Sequence, residues 1–185
     1  MSYMGVGTNV LGYANHKIDK KVINSIKNSN MSTLNSIHEI TLAEKLIDIH
    51  NWADKVRFTR SGGEANAVAI RLARAFTKKD NIAICGYHGW HDWYLSSNLS
   101  NKKNLDKHLL KNLNILGVPK KLKGTVFPFK YNDFSTLKKL IKTKNIGTIK
   151  MEVVRNVLPK NNFLKKVREI ATKNNIVLIF DECTS

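Results

Sequence analysis

The order of short apolar runs and helical segments is what most restricts the folds open to this chain. Val56–Thr59, Ile82–Cys85, Thr125–Phe129, Thr148–Val153 and Ile176–Phe180 each read as a strand. Helical periodicity occupies Ile18–Lys27, Ile37–Ile49, Glu64–Thr77, Phe134–Lys142 and Phe163–Lys173. From residue 56 onward strand and helix signals alternate, and that alternation specifies a mostly parallel sheet with helices on both faces. With 185 residues the chain can bury a sizeable core. Ser36 with Glu39 forms a capping box for the second helix, and Asp133 and Asn161 or Asn162 are placed to cap the last two. Trp90–Gly124 is the least regular stretch, an insertion with an apolar patch around Leu105–Leu116.

No run approaches the roughly 20 apolar residues of a membrane span. The N-terminus lacks the basic-then-apolar pattern of a secretory signal. Cys85 and Cys183 have no metal-ligand spacing and are too few for a disulfide framework, so no metal is expected and a reducing cytoplasm is the expected location. The formal charge of +17 raises a nucleic-acid reading. The lysines are scattered, however, and Lys138, Lys139, Lys142 and Lys144 fall opposite the apolar positions Leu137, Leu140 and Ile141, as on a solvated helix face. No nucleic-acid-binding motif accompanies them.

The Ser61–Phe76 stretch, SGGEANAVAIRLARAF, carries the most chemistry. A Ser-Gly-Gly turn enters a helix whose first turn offers unpaired N–H groups and the positive end of a dipole. Gly62 and Gly63 allow a ligand close to that backbone, which makes a phosphate site. The same residues could equally be a bare helix cap. Ala65, Val68, Ala69, Leu72, Ala73 and Phe76 make one apolar stripe on this helix. The strand Ile82–Cys85 ends in Gly86, Tyr87, His88 and Gly89, and the strand Ile176–Phe180 ends in Asp181 and Glu182. In an open parallel sheet ligands sit at the carboxyl ends of the strands, so phosphate turn, aromatic face and carboxylate could share one crevice.

These elements, in this order, resemble the class III pyridoxal-phosphate aminotransferases, and among them the glutamate-1-semialdehyde aminomutase-like enzymes. The resemblance runs from GVGTNVLGYANHKID through RFTRSGGEANAVAIRLARA, GYHGWHDWY and YND to LIFDECTS. It implies an incomplete fold-type I large domain, with residues 1–50 an N-terminal segment and 51–185 the first part of the cofactor domain. It further implies that Ser61, Gly62 and Gly63 bind the phosphate, that Tyr87 stacks on the ring with His88 beside it, and that Asp181 faces the ring nitrogen. Glu152 matches the family's glutamate near cofactor and substrate, although Val153 follows it where relatives often carry proline. Gly63 stands where relatives commonly have Thr or Ser. Trp90, His91, Asp92, Trp93 and Tyr94 either line an entrance or pack under the insertion.

The family's cofactor-linking lysine lies on a later strand than this sequence reaches. Lys150 shares a strand face with Glu152 but not that motif. The implied protein transfers amino groups with pyridoxal 5'-phosphate, acts on an amino-acid or amino-sugar-like small molecule and is a homodimer at full length. The isolated chain is expected to be an inactive fragment. The alternatives are a non-catalytic fragment with vestigial cofactor geometry and a basic nucleic-acid-binding module.

Overall fold

The computed structural model describes residues 8–28, 33–108, 110–154 and 156–183. Part of the early glycine-rich segment, Leu109 in the apolar patch, and Thr184 and Ser185 lie outside the described residues. The chain divides into two compact units, Met1–Phe58 and Thr59–Ser185.

The first unit holds α1 (His16–Asn28) and α2 (Ile37–Ile49). The Ser36 hydroxyl accepts the Glu39 N–H, and Glu39 Oε2 accepts the Ser36 N–H at 2.8 Å, so the capping box forms as expected. Neither helix has a fully buried residue. Val56–Thr59 forms no strand. Its apolar residues Val56 and Phe58 alternate with Arg57 and Thr59, but a strand exists only in a ladder, and among the described residues no ladder pairs with this stretch.

The second unit is a four-stranded sheet with order β2-β1-β3-β4, from β1 (Ile82–Cys85), β2 (Val126–Pro128), β3 (Thr148–Glu152) and β4 (Val177–Asp181). All pairs are parallel, as the alternation of elements predicts. Registers align Cys85 with Met151, and Glu152 with Asp181. The polar ends of the two strands therefore finish side by side. α6 (Phe134–Thr143) and α7 (Phe163–Lys173) cover one face. Their Leu137, Phe163, Val167 and Ala171 meet Ala83, Cys85, Ile149 and Met151 in the larger core. Asp133 caps α6 by accepting the Thr136 N–H at 3.0 Å. Asn162 is the N-cap of α7 but makes no side-chain cap bond; it sits at φ 58°, a left-handed conformation asparagine tolerates. The α6 lysines are exposed, the solvated face expected.

α3 (Gly62–Thr77) covers the other face, against β3 and β4. Of the expected stripe, only Ala73 is fully buried. Ile70 and Ala73 are buried and Ala67 packs against the cluster that holds Ile70, whereas Leu72 and Phe76 are 62% and 81% exposed. Two apolar rows run along this helix, and the sheet takes the row that also carries Asn66. The insertion contributes two single helical turns, α4 (Asp92–Leu95) and α5 (Ser97–Ser100). Buried Asn98 ties it together, accepting the Leu105 N–H and donating to the Leu113 carbonyl. Among the described residues no helix is long and apolar enough to cross a membrane.

Candidate functional site

The carboxyl ends of β1, β3 and β4 meet the first turns of α3. Ser61 caps that helix, its Oγ accepting the Glu64 N–H at 3.2 Å, while Glu64 Oε2 accepts the Arg60 N–H at 2.8 Å. Accepting leaves the Ser61 hydroxyl hydrogen available. A Cβ on Gly62 would meet nothing within 4 Å, so the backbone here opens onto free space. A Cβ on Gly63 would lie 2.8 Å from His91 Nε2. In this chain the His91 imidazole therefore fills the position a third-residue side chain would take.

One turn into α3, Asn66 Nδ2 donates to Asp181 Oδ2 at 3.1 Å and to the His88 carbonyl at 3.2 Å. It links the phosphate turn to the carboxylate. Nothing in the SGG motif marked Asn66; its signal was a polar residue on the buried row of a helix. His88, 1% exposed, places Nδ1 3.0 Å from the same Oδ2. Burial pushes the His88 pKa down, so the ring is neutral, and an ionised carboxylate can only accept, so the proton is on Nδ1. His88 Nε2 is buried with no partner among the described residues.

Lys150 completes the cluster. It is 1% exposed, and its Nζ lies 3.2 Å from Asp181 Oδ2. In register it sits between Ile84 and Ile179, where an apolar side chain would be expected. Burial favours the neutral Asp181 carboxyl, but the His88 hydrogen bond and then the Lys150 charge outweigh it and hold the carboxyl well below the usual range. Among the described residues, Asp181 Oδ1 accepts only the Cys183 N–H, at 3.2 Å. Gly62, Asn66, Lys150, Asp181, Glu182 and Cys183 line one cavity of about 310 Å³.

Glu152 stands beside this cluster, accepting the Tyr87 N–H at 3.3 Å. Gly86, at φ +114°, makes that approach possible, because a Cβ there would lie 2.4 Å from Glu152 Oε2. Tyr87 rests edge-on against the fully buried Tyr94, ring centroids 6.0 Å apart, and Tyr94 donates its hydroxyl to the Gly86 carbonyl at 3.0 Å. Trp93 stacks on His88 at 6.3 Å. Trp93 and Tyr94 thus pack beneath the Gly86–Gly89 turn, while Trp90 is 70% exposed. The structure brings His88 and Asp181 into direct contact and ties Glu152 to Tyr87; it records no contact between the Tyr87 ring and Asp181.

Comparison with known proteins gives this arrangement a family. The Aminotransferase class-III family matches residues 2–185. Glutamate-1-semialdehyde 2,1-aminomutase of Sulfurisphaera tokodaii is 36% identical over 97% of this chain and 43% of that enzyme. The 3-aminobutyryl-CoA aminotransferase of Cloacimonas acidaminovorans is 32% identical over 97% of this chain and 41% of that enzyme. An omega-transaminase from Sphaerobacter thermophilus superposes with a TM-score of 0.80 at 29% identity, over 94% of this chain and 42% of that one. The chain spans less than half the length of these relatives. The match nonetheless runs the length of this sequence, through the turn at Ser61, the Tyr87-His88 corner and the strand ending at Asp181, and the chain belongs to the class-III aminotransferases.

Proposed function

We propose that this chain supplies one wall of a pyridoxal 5'-phosphate site, and that the whole protein moves an amino group, as an aminotransferase or aminomutase, on an amino-acid or amino-sugar-like small molecule. Residues 51–185 are then the first part of the cofactor-binding large domain. The carrying observation is that the open backbone at Gly62 and the carboxylate of Asp181 line the same cavity, joined by Asn66. A lining with backbone donors at one place and a carboxylate at another suits a ligand that carries both a phosphate and a ring nitrogen. Pyridoxal phosphate, when bound, supplies an electron sink for charge developing beside an amine.

The chain's own residues divide that work. The Gly62 and Gly63 N–H groups, with the helix dipole and the Ser61 hydroxyl, hold the phosphate. Asp181 offers Oδ1 to the ring nitrogen, while Asn66 and His88 fix its orientation through Oδ2. Tyr87 would pack on the ring, the role its place in the Tyr-His-Gly corner implies, and Glu152 anchors the Tyr87 backbone. Leu72 and Phe76, exposed on α3, support a homodimer or further domain surface that covers them. The two unpaired thiols, Cys85 buried and Cys183 exposed, suit a reducing cytoplasm.

Titration of the chain with pyridoxal phosphate, followed by calorimetry, tests this reading. Saturable one-to-one binding is expected. Asp181→Asn should weaken it about tenfold or more, since losing an adjacent opposite charge shifts a pKa by roughly 1–3 units. No saturable binding, or unchanged affinity in Asp181→Asn, overturns the assignment.

A further inference from the structure

Lys150 is used by neither the sequence motifs nor the proposed division of labour. A lysine in the middle of a central strand, flanked by Ile84 and Ile179 and 1% exposed, is held there by a partner or not at all. Its partner is Asp181, at 3.2 Å. Oδ2 of that carboxylate takes all three side-chain donors, Asn66, His88 and Lys150, whereas Oδ1 carries a single backbone N–H among the described residues, on a residue that lines the cavity.

We propose that Lys150 is a positioning residue that half-neutralises Asp181 from inside the sheet, so that the carboxylate holds a proton on the bound ring nitrogen less tightly than a lone aspartate would. This deepens the cofactor reading and rests on it. The lysine loads Oδ2, leaves Oδ1 with room for a further donor, and sets how much negative charge Oδ1 presents. The other titratable groups facing Asp181 are Glu152 on β3, His88 after β1, and Glu182 and Cys183 after β4; α3 contributes the uncharged Asn66. Burial lowers the Lys150 pKa and the Asp181 charge opposes that, so the 3.2 Å pairing is what keeps the lysine a cation, and none of the other groups brings a buried positive charge.

The test compares two ligands and needs no turnover. Pyridoxal phosphate and its analogue with C–H in place of the ring nitrogen are titrated into wild type and Lys150→Met. Preference for the nitrogen-bearing ligand should rise about tenfold or more in Lys150→Met, because the removed cation is a charge within salt-bridge range of Asp181. A purely structural lysine would weaken both ligands equally, and that result overturns the proposal.

Urea melts of the ligand-free chain test the ion pair independently, with Lys150→Gln as the second variant should the methionine fail to fold. Asp181 is held below its ordinary pKa in the fold, so the pair stabilises above that ordinary value and loses its contribution as pH falls. The deficit of either variant should therefore be largest near neutrality and shrink on acidification; a deficit that does not vary with pH overturns the ion pair. Failure of wild type to bind either ligand overturns the cofactor reading and the ring-nitrogen role together, and is distinct from binding with unchanged preference.

Discussion

On β3, Ile149 and Met151 point to α6 and α7, Lys150 points to the α3 side, and strand alternation puts Thr148 and Glu152 on the same face as Lys150. All five residues are buried. The first pair joins a continuous apolar core of Leu137, Phe163, Val167 and Ala171. The other three form a polar row in which Lys150 is paired, Glu152 meets a backbone N–H and Thr148 Oγ1 is buried without a partner among the described residues. One strand thus builds stability on one face and chemistry on the other. Two-residue periodicity makes that separation possible, since each face can be changed without touching its neighbour. A polar row can persist inside this sheet because the opposite face is a complete apolar core.

The largest effect that would break this contrast comes from the apolar side. Phe163→Ala should cost about 3–5 kcal/mol in chemical denaturation, from lost burial and the cavity left against Tyr131. Cofactor affinity of the folded fraction should not change. A cost under about 1 kcal/mol would place the stability of the domain elsewhere.

Next in size is a pH dependence set on the polar side. His108 is buried and accepts the Gly86 N–H through Nδ1 at 3.0 Å; burial, reinforced by His88, lowers its pKa to about 4. A histidine depressed in the fold leaves the unfolded chain binding more protons below its ordinary pKa. Stability should therefore be intact above about pH 6.5 and fall by up to roughly 3 kcal/mol as pH drops toward 4. Thermal melts across that range check it. His108→Asn should flatten the slope, and an unchanged slope would remove His108 as its cause.

Gly62→Val comes third and sharpens the contrast from the site itself. The free space around its Cβ predicts a melt within about 0.5 kcal/mol of wild type. Affinity for pyridoxal phosphate should nevertheless fall about tenfold, some 1.4 kcal/mol, because the side chain blocks the approach to the helix N-terminus. Equal affinity would take this turn out of the site. Gly63→Thr should do least. Its Cβ comes within 3 Å only of the imidazole of His91, the far end of a side chain stacked on the exposed Trp90, so a small shift of that ring accommodates it and affinity should stay within a few-fold. A loss as large as that of Gly62→Val would mean that His91 is fixed.

Much of the fold was legible in the sequence. Ile37–Ile49, Ile82–Cys85 and Phe163–Lys173 begin and end where their apolar spacing places them, the first with its capping box formed. The strand–helix alternation dictated the parallel sheet, because consecutive parallel strands need a crossover between them. The Ser61 turn, the Tyr87-His88 corner and Asp181 carried the family resemblance, since those residue types at those element ends are local features.

Other properties belonged to the tertiary structure alone. Val56–Thr59 has strand-forming residues but forms no ladder, and propensity cannot create a partner strand. The sheet chose between two apolar rows on α3, and in doing so buried Asn66 and left Leu72 and Phe76 outside. Lys150 looks like any other lysine in a lysine-rich chain. It became a buried cation beside Asp181 only because the β3–β4 register pairs Asp181 with Glu152, the next residue along on the face that Lys150 shares. Local pattern determines which elements form; register and packing over 31 residues of separation decide which charges meet.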